Sequence, residues 1–508
     1  MQVMGAFSPA RGTGLYLMTQ DLESTPRFYR LAKAEGKVDL GVEYAPIHNI
    51  RLPRTVIGCS EGDWHAQLAR YREWVATWYE PAAPRKQWFR EVFNFRQQFL
   101  HFALPEMSGM FDPETKTLNL PGVLAKDAEA FGGADYLHIF DWGWDPVHGR
   151  CGDYVPWDYL GPPDNFHRAI QEVKDSGVPV GLYIEGYLVD PQSDLGKAKG
   201  QQWQLLDAEG NPYAYFAPSY NICSWVNEWQ DYLPATYARV REQTGAVGFY
   251  IDEYGFAQPG HNCFNKAHGH PIPASPVIGE QQMTRKVREA LGPDRAIYTE
   301  ESPADVTSQY QDGSFTYAIS CASDAWSPHH LNLYRFAFPT FKTIEIIVCD
   351  KPLGSNVDAC RRILFNGEAI WLEGIPDRWF APETLEYIAR MHRVLRENRQ
   401  CFAGDYPEPL APVLVEGIYA NRFSERADGT GKTCWTVYNT SYRTFAAEAL
   451  KVAHSPEATY RDELTGEPIP ARVEGDWAFL RLNIGPRDVA VISRTVGAGD
   501  VLPDAPIQ

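Results

Sequence analysis

Short apolar runs separated by turn residues open the chain, at residues 14–21 (GLYLMTQD) and 37–46 (KVDLGVEYAP). Their β-type pattern predicts strands of a small sheet. The next stretch, from about Trp64 to Trp78, carries apolar residues near helical spacing behind an aspartate, which predicts a connecting helix. We therefore expect an N-terminal β segment with a linker helix over residues 1–80.

From about Glu91 to Glu373, apolar runs alternate with helical stretches, a pattern typical of βα units around a parallel sheet. Eight runs qualify as strands, and they begin near Val92, Asp135, Val178, Val247, Ala296, Ser314, Thr343 and Ala369. Eight strands in a region of this length predict a (β/α)8 barrel, which we place within residues 81–400. The fifth and sixth runs are so close in sequence that we expect an irregular crossover between them.

After a closing helical pattern, residues 401–508 return to short strand-like runs separated by glycine, proline and aspartate. This pattern predicts a C-terminal β-sandwich. The expected fold class is therefore α/β, with a central (β/α)8 TIM-type barrel, a flanking N-terminal β segment and a C-terminal β-sandwich.

Composition and charge limit the classes of partner. Acidic residues outnumber basic ones by 65 to 47, and the formal net charge of -18 opposes a phosphate backbone, so we expect no nucleic acid partner. No apolar run is long enough for a membrane helix, so we expect no membrane partner. The start does not resemble a signal peptide, so we expect a cytoplasmic location, unless a signal peptide has been lost with an abbreviated start. The aromatic share of 13% suits a site for ring-shaped ligands.

The number and spacing of the cysteines bear on whether disulfides or a structural metal stabilise the fold. The chain has nine cysteines and no Cys-x-x-Cys pair, which argues against a disulfide framework or a zinc ribbon. No motif indicates a cofactor, so we expect none. Homo-oligomerisation is left open.

Acidic residues end several of the predicted barrel strands. Asp141 ends the second, Glu185 the third and Asp252 the fourth, and Glu300 and Glu301 end the fifth. Reactive side chains of a (β/α)8 barrel lie at these C-terminal strand ends. Clustered carboxylates cost free energy, and they persist more readily where they serve acid/base work or cation binding.

The fourth and fifth strand ends are the strongest candidates for chemistry. Asp252 directly follows the run Gly-Phe-Tyr-Ile, as a nucleophile held by a barrel wall does, although an aspartate capping the next loop fits the same spacing equally well. Glu300 and Glu301 are adjacent, and neighbours along a strand face opposite ways, so only one of them points into the barrel mouth. Carboxylates on neighbouring strands can approach to about 5 to 5.5 Å, the separation used in retaining glycoside hydrolysis.

The segments GFYIDEYG and RAIYTEESPAD resemble the nucleophile and acid/base strands of retaining α-glycosidases, in the endo-α-N-acetylgalactosaminidase and α-galactosidase-like group. The whole chain, including GLYLMTQD near its start and DELTG and PRDVAVISR near its end, is similar to uncharacterised glycosidases of this kind. The resemblance implies a retaining O-glycoside hydrolase that acts on an α-linked glycoside. It implies Asp252 as nucleophile and Glu300 as general acid/base, with Glu301 as an open rival.

The resemblance also bears on the start of the chain. These relatives carry a large N-terminal β-sandwich before the barrel, whereas only the last strands of one are recognisable here. We therefore expect either a truncated start or a partner that completes the sheet.

Side chains suited to sugar contact cluster near the predicted strand ends. Carboxylates accept hydrogen bonds from hydroxyl groups, and indole rings stack on the apolar face of a pyranose, so carbohydrate is the expected partner. For each tryptophan, core packing is at least as good an explanation. The candidates are Asp141, Trp142, Trp144 and Glu185, with Tyr254, Trp326 and Asp324 as weaker ones.

Two other functions fit parts of the sequence. His261, His268 and His270 follow the fourth predicted strand, and with Asp252 and Glu253 they would ligate a divalent ion in a metal-dependent hydrolase. Their Pro/Gly-rich loop is unlike the strand end that carries such ligands in metal-dependent barrels, so plain loop histidines are the simpler interpretation. The other alternative is a non-catalytic carbohydrate-binding barrel, against which the carboxylates on two strands argue.

Overall fold

A computed structural model describes residues 1–34, 36–45, 51–100, 111–112, 114–143, 152–156, 160–256, 260–317, 331–346, 353–497 and 502. The chain divides into two compact units. The first comprises Met1–Pro84, Asp141–His167 and Gly181–Ser314, and the second comprises Arg85–Phe140, Arg168–Val180 and Phe315–Gln508. The three-domain division expected from the sequence stays a prediction. Within the described ranges, no helix combines the length and the apolar character needed to cross a membrane.

The N-terminal segment contains more strands than its sequence predicts. Its elements are β1 (Val3–Ser8), β2 (Thr13–Gln20), β3 (Arg27–Ala34), β4 (Lys37–Tyr44), β5 (Arg54–Glu61) and α1 (His65–Val75). β1, β2 and β5 form an antiparallel sheet, and β3 and β4 form a hairpin. Strands such as β3 and β5 were missed because charged and polar residues interrupt their apolar alternation.

The central region alternates strands with helices. Its first elements are α2 (Gln87–Arg90), β6 (Asn94–Gln98), β7 (Phe111–Asp112), β8 (Thr117–Leu118), α3 (Leu120–Phe131), β9 (Tyr136–Ile139), α4 (Pro163–Asp175), β10 (Val180–Glu185) and β11 (Leu188–Val189). There follow a π-helical turn (Gly196–Gly200), α5 (Gln201–Trp203), β12 (Tyr220–Asn221), α6 (Asn227–Thr244), β13 (Gly248–Asp252), a 3-10 turn (Lys266–His268), α7 (Pro276–Leu291), β14 (Ala296–Thr299), a 3-10 helix (Asp305–Tyr310) and β15 (Gly313–Thr316). The last elements are α8 (Leu333–Ala337), β16 (Lys342–Ile346), α9 (Val357–Asn366), β17 (Ala369–Leu372), α10 (Pro376–Trp379), α11 (Pro382–Glu397) and α12 (Arg399–Phe402).

Eight of these strands close into one barrel, in the order β6, β9, β10, β13, β14, β15, β16 and β17. They are the eight strands predicted from the sequence, so the (β/α)8 TIM-type fold is confirmed. The irregular crossover is confirmed too: a 3-10 helix connects β14 to β15, because the segment between them is too short for a full α-helical crossover.

Local sequence explains why these elements form. β10 (VGLYIE) and β13 (GFYID) are buried along their whole length, and parallel strands covered on both faces are expected to be nearly continuous apolar runs. The side chain of Asn119 caps α3 by accepting a hydrogen bond from the Gly122 backbone N–H. Gly245 ends α6 in the left-handed conformation, at φ 64°, which glycine adopts without a Cβ penalty.

Two antiparallel sheets form the C-terminal part of the second unit. Their strands are β18 (Tyr406–Ala411), β19 (Ile418–Ser424), β20 (Lys432–Asn439), β21 (Phe445–Ala453), β22 (Thr459–Asp462), β23 (Ala471–Glu474), β24 (Trp477–Ile484) and β25 (Val489–Thr495). The sheet orders are β18-β19-β20-β25-β22 and β21-β24-β23. Side chains from both sheets, among them Trp435, Leu450 and Leu480, share one buried core, which confirms the β-sandwich.

A buried ion pair fastens α3 to the first barrel strand of the second unit. The exposed fractions of Arg96 and Asp127 are 1% and 0%. Arg96 Nε donates to Asp127 Oδ1 at 2.9 Å, and its Nη1 donates to the Gly374 carbonyl oxygen at 2.7 Å. The Asn94 side-chain amide donates to Asp127 Oδ2 at 3.0 Å. Both charges are thus hydrogen-bonded, the condition under which a buried pair is tolerated.

We expect the substitution Asp127→Asn to lower the free energy of unfolding by about 3 kcal/mol, because it leaves the Arg96 guanidinium buried without a compensating charge. Urea denaturation followed by circular dichroism measures the change. Glu129→Gln, at an exposed carboxylate of the same helix, is the matched control and should change stability by less than about 0.5 kcal/mol. Equal effects of the two substitutions would contradict a structural role for the pair.

Candidate active site

Three neighbouring barrel strands each bring one acidic residue to the same end of the barrel. The parallel register places Glu185 of β10 opposite Asp252 of β13. It also places Ile251 opposite Thr299 of β14, so Glu300 follows in step with Asp252. All these residues lie in the first unit. The structure therefore brings together the acidic residues that the sequence placed at the ends of the third, fourth and fifth strands.

A layer of tyrosine rings lies two residues before the acidic residues on the same three strands. Tyr183 pairs with Tyr250, and Tyr250 pairs with Tyr298. Their ring centroids are 5.6 Å and 5.8 Å apart, respectively. Residues two apart on a strand share a face, so each tyrosine lies on the same face of its strand as the acidic residue that follows it. The repeat Tyr-x-acid at three strand ends is a sequence signal that the sequence analysis missed.

The Tyr183 hydroxyl bridges two of the carboxylates. It donates to Glu185 Oε2 at 2.7 Å, and it also makes a short contact with Asp252 Oδ2. Both acidic side chains are buried, with exposed fractions of 0% and 4%. A tyrosine hydroxyl has one hydrogen to donate. The Tyr183 hydroxyl therefore links the two carboxyl groups by lying next to both of them.

Glu253 has a backbone conformation that is uncommon outside glycine, with φ 61°. Its backbone N–H donates to Glu300 Oε2 at 2.9 Å, which holds that carboxylate toward β13. Its own side chain accepts hydrogen bonds from the hydroxyls of Tyr215, at 3.2 Å, and Tyr187, at 3.4 Å. From the sequence, Glu253 was a candidate only as a metal ligand, because these contacts depend on the backbone turn at this residue.

The carboxylate oxygens of Asp252, Glu253 and Glu300 lie within 4.8 Å of one another. Mutual repulsion at this distance favours a shared proton or a bound cation, and the three oxygens could hold a hard divalent ion. Burial, reinforced by the negative charge of Glu253, raises the pKa of both Tyr187 and Tyr215 above the usual range. Both hydroxyls therefore keep their protons and act as donors to the cluster.

The structure distinguishes between the two adjacent glutamates. Glu300 belongs to the acidic group, and Glu301 does not. The Glu301 backbone N–H donates to the Tyr254 carbonyl oxygen at 3.1 Å, and its own carbonyl oxygen accepts from Thr299 Oγ1 at 2.9 Å. Glu300 is thus the glutamate that the fold brings next to Asp252.

Of the predicted sugar contacts, Asp141 and Glu185 are buried polar residues at strand ends, whereas Trp142 belongs to the core. The exposed fraction of Trp142 is 1%, and its ring stacks on Phe166 with centroids 5.4 Å apart. Its Nε1 donates to the Tyr183 carbonyl oxygen at 2.9 Å. The indole therefore packs against β10, and its predicted sugar contact stays a prediction.

Tyr254 is likewise a packing residue, with an exposed fraction of 1% and its ring stacked against that of Tyr187. Burial raises the pKa of its hydroxyl well above the usual range. A Cβ at Gly186 would lie 2.4 Å from the Tyr254 ring and 2.6 Å from the Asp252 carbonyl oxygen, so only glycine fits there. The predicted contact of Tyr254 with substrate stays a prediction.

The remaining predicted sugar contacts are Trp144, Trp326 and Asp324. All three lie outside the described residues. Their predicted roles therefore stay predictions.

The structure separates the three histidines of the metal-hydrolase alternative. His261 stacks on a tyrosine ring, with centroids 3.9 Å apart. His268 and His270 converge instead with Cys223 and Cys263, and the four donor atoms lie within 4.8 Å of one another. Among the described residues this group contains no carboxylate and is distinct from the acidic group. The predicted metal-dependent hydrolase stays a prediction.

Solved structures share this fold. The GH36 α-galactosidase AgaB from Geobacillus stearothermophilus matches with a TM-score of 0.61 at 13% identity, covering 97% of this chain and 71% of that one. A variant of AgaA from the same organism, solved with raffinose, matches with a TM-score of 0.62 at 12% identity, covering 97% and 71%. An α-amylase from Lactobacillus plantarum gives 0.53 at 15% identity, covering 80% and 100%. The α-galactosidase-like resemblance is thereby confirmed at the level of the fold.

Sequence comparisons place the chain in a family. A search of curated proteins found no match. A family model described as a domain of unknown function, DUF6259, matches residues 52–323. This match covers more than half of the 508 residues. The chain therefore belongs to the DUF6259 family.

Proposed function

We propose that the protein is a retaining glycoside hydrolase that acts on an α-linked glycoside. The observation that carries this proposal is the closeness of Asp252 and Glu300, whose carboxylate oxygens lie within 4.8 Å of each other on neighbouring strands. Retaining enzymes keep their two carboxyl groups about 5 to 5.5 Å apart, whereas inverting enzymes leave about 6.5 to 9.5 Å for a water molecule. One oxygen of each carboxyl group lies within this limit, which supports the closer, retaining arrangement.

The structural neighbours support the same class of reaction. Their names are those of α-galactosidases and α-amylases, and one was solved with raffinose. The α-configuration of the substrate rests on these names and on the resemblance of the segments around Asp252 and Glu300. Galactosides, N-acetylgalactosaminides and glucosides are the α-linked substrates to compare.

The proposed mechanism is a double displacement. Asp252 attacks the anomeric carbon and forms a glycosyl ester, while Glu300 protonates the departing glycosidic oxygen. Glu300 then takes a proton from water, whose oxygen attacks the same carbon and releases Asp252 and the sugar. The Tyr183 hydroxyl holds Asp252 in place, and the Glu253 backbone N–H holds one oxygen of Glu300 toward β13.

Buried carboxylates at neighbouring strand ends supply the proposed sugar contacts. Asp141 follows β9 and Glu185 ends β10, and both have exposed fractions of 0%. Carboxylate oxygens accept hydrogen bonds from sugar hydroxyls, and in a water-poor site such bonds hold the ring at a fixed orientation.

Asp252→Ala should lower kcat on α-aryl glycosides by at least about 1,000-fold, because it removes the proposed nucleophile. A panel of α- and β-aryl galactosides, N-acetylgalactosaminides and glucosides, assayed by release of the chromophore, measures the rate. Glu209→Ala, at an exposed carboxylate of the same unit, is the control and should keep the wild-type rate. Wild-type turnover by Asp252→Ala would refute the assignment, and sugar binding without turnover by the unaltered chain would favour the binding-barrel alternative.

Leaving-group dependence identifies the general acid. Replacing the true acid should reduce kcat at least about 100-fold more for poor leaving groups than for activated aryl groups, which need no protonation. We expect this differential for Glu300→Ala and not for Glu301→Ala. Asp324→Ala is the third variant to compare, because this carboxylate follows the sixth barrel strand in sequence. If only Glu301→Ala or only Asp324→Ala shows the larger loss of kcat on poor leaving groups, the residue replaced in that variant is the general acid.

Tyr183→Phe should lower kcat about 10- to 100-fold with little change in KM, because Asp252 loses the hydrogen bond that positions it. Steady-state kinetics on the best aryl glycoside measure both constants. Tyr237→Phe is the matched control, since it also loses one buried hydrogen bond, at 2.9 Å, but to the Tyr250 backbone carbonyl. An equal loss of kcat in both variants would indicate a general packing effect in place of a positioning role.

A further inference from the structure

Four side chains with nitrogen and sulfur donors converge outside the acidic group. Cys223 lies between β12 and α6, and the other three, Cys263, His268 and His270, lie in the loop between β13 and α7. Sγ of Cys223 is 3.5 Å from Nε2 of His270, and Sγ of Cys263 is 3.6 Å from Nδ1 of His268. All four donor atoms lie within 4.8 Å of one another.

These distances fit a tetrahedral metal site. With Zn–S bonds of about 2.3 Å and Zn–N bonds of about 2.0 to 2.1 Å, tetrahedral angles separate a sulfur donor from a nitrogen donor by roughly 3.6 Å. The two sulfur–nitrogen pairs here are 3.5 Å and 3.6 Å apart. The donor set of two thiols and two imidazoles also favours zinc over hard cations, which prefer oxygen ligands.

Hydrogen bonds orient both imidazoles toward the sulfurs. Nδ1 of His270 lies 2.9 Å from the Pro271 carbonyl oxygen, an obligate acceptor, so that nitrogen donates and the Nε2 lone pair faces Cys223. Nε2 of His268 lies 3.0 Å from the Gln202 carbonyl oxygen and 2.9 Å from the Asn265 side-chain amide nitrogen. In the tautomer that donates to the carbonyl oxygen, the Nδ1 lone pair faces Cys263. A backbone carbonyl behind a metal-bound imidazole is the usual outer partner of such a ligand.

The two cysteines are held rigidly and remain free thiols. Both have exposed fractions of 1%. The Cys223 backbone N–H donates to the Trp203 carbonyl oxygen at 2.9 Å, and Cys263 exchanges two backbone hydrogen bonds of 2.9 Å with Ala274. Backbone on both sides of the cluster is thus fixed by contacts that need no metal, which preorganises the donors.

We propose that Cys223, Cys263, His268 and His270 bind one zinc ion in a closed structural site. Four protein ligands leave no open position for water or substrate, the arrangement that distinguishes structural from catalytic zinc. Two thiolates balance the charge of the ion. This proposal does not rest on the proposed glycosidase activity.

The zinc site would fasten two loops of the first unit together, the one before α6 and the one before α7. The chain that leads to Cys223 also carries Tyr215, which donates to Glu253. The Ile222 backbone N–H donates to the Tyr187 carbonyl oxygen at 2.7 Å, and Tyr187 is the second donor to Glu253. Zinc therefore stabilises the segment that holds both tyrosine hydroxyls against the acidic group.

Metal analysis of the full-length chain, purified without chelators, tests the proposal. We expect about one zinc per chain, and less than about a tenth of that in Cys263→Ser and in His270→Ala. Cys59→Ser, at an exposed free cysteine outside the cluster, should keep its zinc. Zinc retained by both cluster variants, or an intact mass showing a Cys223–Cys263 disulfide, would overturn the assignment.

Reconstitution of the unaltered chain keeps the test independent of whether the variants fold. Stripping the metal with a strong chelator should lower the thermal midpoint by about 5 °C or more, and zinc should restore it while magnesium and calcium should not. Cobalt should restore it too, and should give the visible absorption of tetrahedral thiolate coordination. A stripped chain with an unchanged midpoint and no such absorption with cobalt would refute the site.

Discussion

The parallel register between β10, β13 and β14 is the constraint on which the acidic site depends. It sets Glu185 opposite Asp252 and carries Glu300 to the same level of the barrel. Because side chains alternate along a strand, a slip of one residue would turn an entire set of carboxylates and tyrosines to the other face. Closure of the barrel opposes such a slip, since strand tilt and stagger are linked around the whole circumference.

Tyrosine hydroxyls make this concentration of negative charge tolerable. Burying several carboxylates together is costly unless each finds hydrogen-bond donors. Tyr183 serves Glu185 and Asp252, whereas Tyr187 and Tyr215 serve Glu253. Burial and the neighbouring charge hold the pKa of Tyr187 and Tyr215 above the usual range, so these donors stay protonated at neutral pH. The aromatic residues of this region therefore act through their hydroxyl groups as much as through their rings.

The first unit separates two kinds of donor that the sequence places close together. The hard carboxylate oxygens gather at the strand ends, and the softer sulfur and nitrogen donors gather between the loops that precede α6 and α7. Ligand softness and geometry decide which ion a site selects, so the two groups differ in chemistry although their residues are neighbours in sequence. His268 and Glu253 illustrate the point, because they belong to different groups despite the short chain between them.

The eight barrel strands could be predicted from the sequence, because strands buried on both faces are continuous apolar runs, and so could the acidic residues that end them. The same signal is lacking in β3 and β5, whose alternation is exposed and charged. Three further features required the folded chain: Glu300 and not Glu301 adjoins Asp252, Trp142 and Tyr254 pack in the core, and Cys223 meets His270. Strand formation depends on local composition, whereas these contacts depend on register and loop packing between residues distant in the chain, which no local pattern encodes.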